Sequence, residues 1–563
     1  MSDFPLNRRH FLGGLAAIAG STAISPVLAH DGLDYATEMQ KYAADHGAGK
    51  SVAVLGAGIA GIYSAWQLAL RGFDVTVFEL DKRYGGRSLT VRPTAQIYRD
   101  YFAQEYGITG AAYVDSFQER DGELMQCQFY DDAWDEQPGS FPQELYLNAG
   151  PGRIPSFHFN VLELTRDIGV ELEPFIFASR ANLLQHNDFN GGAPMQLRRV
   201  KHNLRGHLAE KLWEDIEGII YSSMLSDAER IRLTKFQKML SQFGDLQKSG
   251  DFEGSVRAGQ DPYPGGWRNP GVALPEIPEN DILYSDIWDG RLYNDMRDLW
   301  QASLMQPKGG MDMIWQKMLH QPLPNGKTVR DLIRLGAPAE LVGNAQNGNK
   351  VLVGWGGENG GAQPFDFCVS TMPPDHLSKR LQGFDARFTA ALAAINFTPS
   401  CKVGWQAKTR FWEDEGIYGG ISWTNHQIVQ MWYPSDGIHN RTGVLTGAYN
   451  SGATAGDFGK LPHAERIKRA LAGGNRLHAG FVDLIHADRG VSIAWQNMPG
   501  QSGGWADQPG IKQPNAYRQM TEMPQDRLLL AGDYISYTPG WMEGSIDSSK
   551  LAIAKIMKIA GDA

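Results

Sequence analysis

The alternation of apolar and polar positions along the chain is sharpest between Ser51 and Glu79. Ser51-Val52-Ala53-Val54-Leu55 is a short, unbroken apolar run, which predicts a buried strand. It ends in Gly56-Ala57-Gly58-Ile59-Ala60-Gly61, and beyond these glycines Ile62, Ala65, Trp66, Ala69 and Leu70 recur at helical spacing. Arg71-Gly72 stops that helix, and Val75 to Phe78 predicts a second strand ending in Glu79. Further along, residues 157–301 are largely helical in pattern, with helices expected at 159–168, 207–221 and 227–243 between glycine- and proline-rich breaks. A helix is expected at 313–319, strands at 350–355, 365–370, 397–405, 444–449 and 527–531, and a last helix after Thr538. Residues 93–146 are polar, aromatic and irregular and carry no readable motif. A strand, a helix and a second strand in succession place the chain in the α/β class.

Chemistry enters with the glycines. Gly56 permits the tight turn out of the first strand, Gly58 lets backbone approach a pyrophosphate, and Gly61 lets the helix pack close to the strand. The helix N-terminus, with its unpaired N–H groups, then favours negative charge. Glu79 lies 18 residues after Gly61 and ends the second strand, where a carboxylate accepts hydrogen bonds from a ribose and repels a 2′-phosphate. The expectation is a dinucleotide other than NADP. Composition narrows this little: the 563 residues suit two or three domains, 42% are hydrophobic and 21% charged, and the net charge is −10. No basic excess or basic run points to nucleic acid. Three widely spaced cysteines, Cys127, Cys368 and Cys401, suggest neither a disulfide framework nor a metal site.

Several further motifs follow. Gly85-Gly86-Arg87 comes just past the ribose-binding acid. Asn148-Ala149-Gly150-Pro151-Gly152-Arg153-Ile154-Pro155 holds an arginine in a stiff turn. Lys402 precedes Phe411-Trp412-Glu413-Asp414, Tyr449 ends a strand, and Ala531-Gly532-Asp533 precedes Thr538-Pro539-Gly540-Trp541-Met542-Glu543-Gly544. In these residues the chain resembles the flavin-dependent amine oxidase family, L-amino acid oxidase type. It departs from that family's pattern at Asn148-Ala149 and at Gly152, where methionine is usual.

The resemblance implies bound FAD, with Gly56, Gly58, Ala60, Gly61, Glu79, Gly86, Arg87, Gly150, Pro151, Gly152, Arg153, Gly532, Asp533, Gly540, Trp541 and Met542 around it. Arg153 would grip the substrate carboxylate through its planar fork of donors. Tyr449 would be a second carboxylate contact, Gly540 and Trp541 would wall the substrate site, and Lys402 would act beside flavin N5. Trp505 in Ser502-Gly503-Gly504-Trp505 stands where relatives carry a flavin-linking cysteine, so the FAD is expected to be non-covalent. Without the resemblance, Arg153 also fits a structural ion pair, Lys402 a surface lysine, Tyr449 a core aromatic, Asp312 a helix cap and His376 a structural role.

The implied activity is oxidation of an L-amino acid to a 2-oxo acid and ammonia, with oxygen as acceptor and hydrogen peroxide as product. The alternatives are an amino-acid 2-monooxygenase, suggested by Trp541-Met542-Glu543-Gly544, an amine or polyamine oxidase, and a non-catalytic flavin-binding protein. The expected architecture is a Rossmann-like FAD domain from 48–95, 305–394 and 522–563, a mixed α+β substrate domain from 96–156 and 395–521, and a helical insertion at 157–304. Residues 1–29 read as a twin-arginine leader, with Arg8-Arg9, a short apolar run and a small-residue cleavage site at Ala29. The apolar run is too short for a stable membrane span. A periplasmic or secreted homodimer is the expectation.

Overall fold

A computed structural model of the chain describes residues 35–93, 96–107, 129–130 and 145–561, apart from 223, 289–291, 298, 302, 346–348, 524 and 526. The leader and Cys127 lie outside the described residues.

The strand expected at 51–55 is β1 (Ser51–Leu55), the middle strand of a five-stranded parallel sheet. Val52 to Leu55 are fully buried, and a strand covered on both faces reads as a continuous apolar run. Next come α1 (Ile59–Ala69) and β2 (Asp74–Phe78), which pairs with β1 in parallel from Ser51 opposite Asp74 to Leu55 opposite Phe78. The other three strands arrive from far along the chain: Ile333–Arg334 beside β2, Phe367–Ser370 on the other side of β1, and Leu528–Leu530 beyond it. The apolar run expected as one strand at 365–370 is split. Gly361–Phe365 belongs to a second, four-stranded sheet, and the chain changes sheets at Asp366. The Asp366 carboxylate accepts hydrogen bonds from the Ser51 N–H at 2.8 Å and the Ser51 hydroxyl at 2.9 Å, which ties the switch to the start of β1.

Residues 157–304 hold the expected helices, but the segment is not purely helical. Helix α2 (Phe159–Asp167) is followed by Leu172–Ile176, which pairs with Ser303–Pro307, and by two short strands, Leu183–Gln185 and Met195–Gln196. These two extend a seven-stranded sheet. Runs of two or three residues are too short to show a period of two, so no pattern announced them. The helix expected at 207–221 starts ten residues earlier and runs Leu197–Ile220, because Leu197, Val200 and Leu204 continue its buried stripe through a basic stretch. The helix Asp227–Gly244 opens with a capping box in which the Ser226 and Glu229 side chains bond each other's backbone N–H groups.

The seven-stranded sheet carries β3 (Ser400–Gln406), β4 (Gln430–Tyr433) and β5 (Val444–Ser451). The strand expected at 397–405 breaks at Pro399, which lacks an N–H to donate. Within β3 and β5 Lys402 lies directly opposite Tyr449. The last helix, α3 (Met542–Gly561), packs on α1, where the Ser549 hydroxyl donates to the Ala60 carbonyl at 3.2 Å. Glu543 in its first turn is buried and accepts from the N–H groups of Asn160 and Val161, so it caps α2 from outside. No helix among the described residues is long and apolar enough to cross a membrane.

Asp312 departs from its expected role. It sits at the N-cap position of helix Met313–Leu319, but its carboxylate caps nothing and pairs with buried Arg92, whose Nε donates at 3.2 Å and whose Nη2 makes a second, shorter bond. The Arg92 guanidinium also lies 4.5 Å from the Phe102 ring centre. Replacing Asp312 with alanine deprives a buried guanidinium of its carboxylate and is expected to cost about 3–5 kcal/mol, whereas Arg92→Met with Asp312→Leu should cost far less. Urea unfolding followed by tryptophan fluorescence would check both: equal midpoints for the two variants would show that the pair itself is not what Arg92 requires.

Candidate active site

A cavity of about 310 Å³ opens at the C-terminal ends of the parallel strands. Gly56 follows β1, Glu79 follows β2, Thr371 follows Phe367–Ser370 and Gly532 follows shortly after Leu528–Leu530, and all four line it. Ligands of open parallel sheets bind at this end. Gly56 turns the chain with φ +103, a conformation that side chains disfavour, and its N–H donates to the Phe78 carbonyl at 2.8 Å. A methyl group on Gly58 would meet nothing within 4 Å, since this residue faces the cavity. A methyl on Gly61 would lie 1.9 Å from the Gly56 carbonyl oxygen. Gly61 therefore sets the spacing of α1 against β1 and lies behind the cavity wall, not on it.

Three features of this wall fit a dinucleotide. Helix α1 begins at Gly58 with no side chain capping it, so Ile59 and Ala60 present helix N-terminal backbone to the cavity. Glu79 lines the cavity while its oxygens accept the Ala57 N–H at 2.6 Å and the Asp81 N–H at 2.8 Å, and burial raises its pKa against the pull of those bonds. Gly86 reaches the opposite wall, where a methyl would come within 3.3 Å of the Gly58 Cα. These residues would hold the pyrophosphate and ribose of FAD. No cluster of His, Cys, Asp and Glu that could hold a metal occurs among the described residues.

Arg87 and Asp533, expected at the cofactor from distant segments, meet each other. The guanidinium donates from Nη1 to Asp533 Oδ2 at 3.3 Å and from Nη2 to Oδ1, and also to the Gly504 carbonyl at 3.1 Å. Asp533 Oδ2 accepts the Gly540 N–H at 3.0 Å as well. This network fixes three separate segments on one wall. Gly150, Pro151, Gly540, Trp541 and Met542 line the cavity with them.

Lys402 is buried, not on the surface. Its Nζ donates to the Asn148 carbonyl at 2.8 Å and the Gly150 carbonyl at 2.6 Å, and it lines the cavity with Tyr449, whose ring centre is 5.0 Å away. Burial, and then the nearby Arg153, hold the Lys402 pKa well below its ordinary value. Burial raises the Tyr449 phenol, while Arg153 and a hydrogen bond with Ser400 act the other way.

Arg153 does not line the cavity but lies next to it in a box of aromatic rings. Its guanidinium carbon is 4.3 Å from the Trp300 ring centre and 4.5 Å from that of Trp432, with Phe177 at 5.5 Å and Phe175 and Trp541 each at 5.9 Å. Burial lowers its pKa to about 10, so it stays charged at neutral pH. Its Nε has no hydrogen-bond partner, and no carboxylate pairs with it among the described residues. Gly152, expected at the cofactor, instead makes room for this box: a methyl there would lie 2.8 Å from the Trp432 ring. His158 closes the box from behind, edge-on to Trp541 at 4.8 Å, and burial lowers its pKa to about 4. His376, given only a structural role from the sequence, lines the cavity, as does Trp495, whose Nε1 donates to the Ala149 carbonyl at 3.0 Å. Among 15 tryptophans nothing in the sequence marks Trp300, Trp432 or Trp495, because each gains its meaning from partners far along the chain.

A parallel sheet whose strand ends, uncapped helix and buried acid converge on one cavity defines a dinucleotide-binding protein of Rossmann-like fold. The chain belongs to the flavin containing amine oxidoreductase family, whose family model matches residues 134–557, and residues 54–113 match the NAD(P)-binding Rossmann-like domain. It is a flavoprotein with FAD as cofactor. YobN of Bacillus subtilis (strain 168), to which L-amino-acid oxidase activity is assigned by name, is 24% identical over 528 residues, 89% of this chain and 93% of that protein. The L-amino-acid oxidase of Mus musculus is 22% identical over 518 residues, 90% of this chain and 70% of the mouse protein. The flavin-dependent L-tryptophan oxidase RebO of Lentzea aerocolonigenes is 26% identical over 276 residues, 48% of this chain and 56% of that protein. Among solved structures, cyclohexylamine oxidase from Brevibacterium oxydans IH-35A shares the fold, with a TM-score of 0.53 at 15% identity, covering 91% of this chain and 99% of that one.

Proposed function

We propose that the protein oxidises an L-amino acid to the 2-oxo acid and ammonia, with Arg153 as the carboxylate anchor. The observation that carries this reading is the buried, charged Arg153 with no carboxylate of its own among the described residues, held next to the cavity by aromatic rings. A buried guanidinium without an anion is costly, and a substrate carboxylate would complete it with charge-assisted, bidentate bonds. An amine substrate would leave it unmatched. The relatives named for L-amino-acid oxidation support the same class.

FAD, held by the glycine turn, Glu79 and the Arg87–Asp533 wall, would supply the two-electron redox chemistry that links loss of the substrate Cα–H to reduction of oxygen to hydrogen peroxide. The chain supplies placement. Arg153 and the Tyr449 hydroxyl orient the carboxylate, Trp541 forms the boundary between box and cavity, and the surrounding indoles exclude water, which strengthens the ionic contact. Lys402, fixed by two carbonyl oxygens, places a polar nitrogen on the cavity wall to assist the reaction with oxygen. Water then hydrolyses the imino acid. Glu543, part of the Trp-Met-Glu-Gly likeness to 2-monooxygenases, caps α2 and takes no place on the cavity wall, so it lends that alternative no support.

Replacing Arg153 with leucine is expected to lower kcat/KM for amino acids by roughly 30- to several thousand-fold, the equivalent of about 2–5 kcal/mol for a buried carboxylate left unpaired, at unchanged FAD content. Activity on the matching decarboxylated amine should be equal or higher. A wild-type enzyme that prefers amines, with both rates untouched by the substitution, would replace this reading with an amine oxidase.

We also propose that FAD is held without a covalent bond, because Trp505 lines the cavity where a linking cysteine would stand and neither Cys368 nor Cys401 reaches it. Acid precipitation should leave the flavin in the supernatant, and flavin retained by the pellet would contradict this. Finally, we propose an exported homodimer. Changing Arg8-Arg9 to Lys-Lys should trap flavin-loaded enzyme in the cytoplasm, and cell fractionation with sedimentation of the mature protein would show unaltered export or a monomer if this is wrong.

A further inference from the structure

Arg153 and Lys402 meet at one ring. The Arg153 guanidinium carbon lies 4.5 Å from the centre of the Trp432 ring, and Lys402 Nζ lies 4.6 Å from it. Two buried cations that share a neighbourhood repel each other, and each also loses its hydration. Neither has a carboxylate partner among the described residues: Lys402 has two backbone carbonyls, and Arg153 has only ring faces. An indole face carries negative charge density that no titration can remove, and among ring types it is the strongest acceptor of a cation.

Trp432 is also fixed in place. It is buried in β4, its Nε1 donates to Gln430 Oε1 at 2.7 Å, and Tyr449 meets it edge-on at 4.9 Å and 90°. The backbone of the anchor turn is moulded around it, since at Gly152 anything larger than hydrogen would strike the ring. We propose that Trp432 is a positioning residue that holds the carboxylate anchor Arg153 and the cavity lysine Lys402 as a pair of buried cations at fixed mutual placement. Through this one ring, binding of the substrate carboxylate and the state of Lys402 are linked. The inference rests on the reading of Arg153 as the anchor.

The ring face stabilises the protonated form of Lys402, so removing it lowers the lysine's pKa further. Arg153 and Tyr449 are the other titratable groups facing that lysine. The test uses the flavin-loaded enzyme with an L-amino acid substrate. Trp432→Leu should lower kcat/KM roughly 10- to 100-fold with FAD content as in wild type, and Trp432→Phe, which keeps a weaker face, should restore most of the loss. The limb of the pH profile of kcat/KM that is missing in Lys402→Met should move to lower pH in Trp432→Leu and less so in Trp432→Phe. In an Arg153→Leu background, Trp432→Leu should cost clearly less than the roughly 10- to 100-fold it costs alone, because one of the two residues it acts through is gone. Additive losses, or an unmoved limb, would overturn the role of Trp432 while leaving the anchor intact. An Arg153→Leu enzyme with full amino-acid activity would instead overturn the anchor reading itself, so the two failures are told apart. If Trp432→Leu does not fold, Trp432→Phe carries the pH measurement, in which the limb must still move to lower pH for the proposal to stand.

Discussion

Helix α1 starts so close to β1 that a single methyl group on Gly61 would collide with the Gly56 carbonyl oxygen at 1.9 Å. That approach fixes where the helix N-terminus points, and everything on the cavity wall is arranged around it. The turn at Gly56 places its backbone against Thr371, which follows a neighbouring strand and donates its hydroxyl to the Leu55 carbonyl at 2.9 Å. Gly532, carried by a strand almost five hundred residues downstream, is joined to α3 through the Ser548 hydroxyl, which accepts the Gly532 N–H at 2.8 Å. A loose helix start would leave the glycine floor, the buried acid and the distant Asp533 with no common reference.

The substrate side obeys a different constraint. Charge is buried there without an opposite charge among the described residues, and aromatic faces and backbone carbonyls compensate for it. This choice keeps the site receptive: a carboxylate partner on Arg153 would satisfy it permanently and leave nothing for a ligand to offer. Rings exclude water and attract the cation without neutralising it. The box is built from Trp300, Trp432 and Trp541, which come from three separate segments, and from Phe175 and Phe177, so it exists only when the seven-stranded sheet and the last helix are in place. Glu543 contributes at one remove, since by capping α2 it ties the start of α3, next to Trp541, to the helix that follows His158.

The dinucleotide unit was fully legible in the sequence because its logic is local. Turn, helix start, close packing and ribose-binding acid all fall within 29 residues, and each demand is met by a residue type that little else explains. The resemblance to flavin amine oxidases extended this to Arg87, Lys402, Tyr449, Asp533 and Trp541. The structure places all of these on the cavity wall. What the sequence could not show was partnership. That Arg87 binds Asp533, that Asp312 neutralises Arg92 and leaves the helix uncapped, and that Gly152 yields to Trp432 all depend on chain separations of 220 residues or more. Strands of two or three residues and the break at Asp366 were invisible for the same reason: periodicity needs length, and a side-chain bond to Ser51 has none.

By itself, then, the sequence determined the phosphate-binding turn, the order of strands and helices around it, and the residue types needed for a flavin and a carboxylate. Only the tertiary structure decided that Arg153 lies beside the cavity in a ring box, that Lys402 is buried opposite Tyr449, and that one tryptophan serves both cations. Local demands are written in consecutive residues, whereas the desolvation and mutual placement of charges are properties of the space enclosed once distant segments have packed.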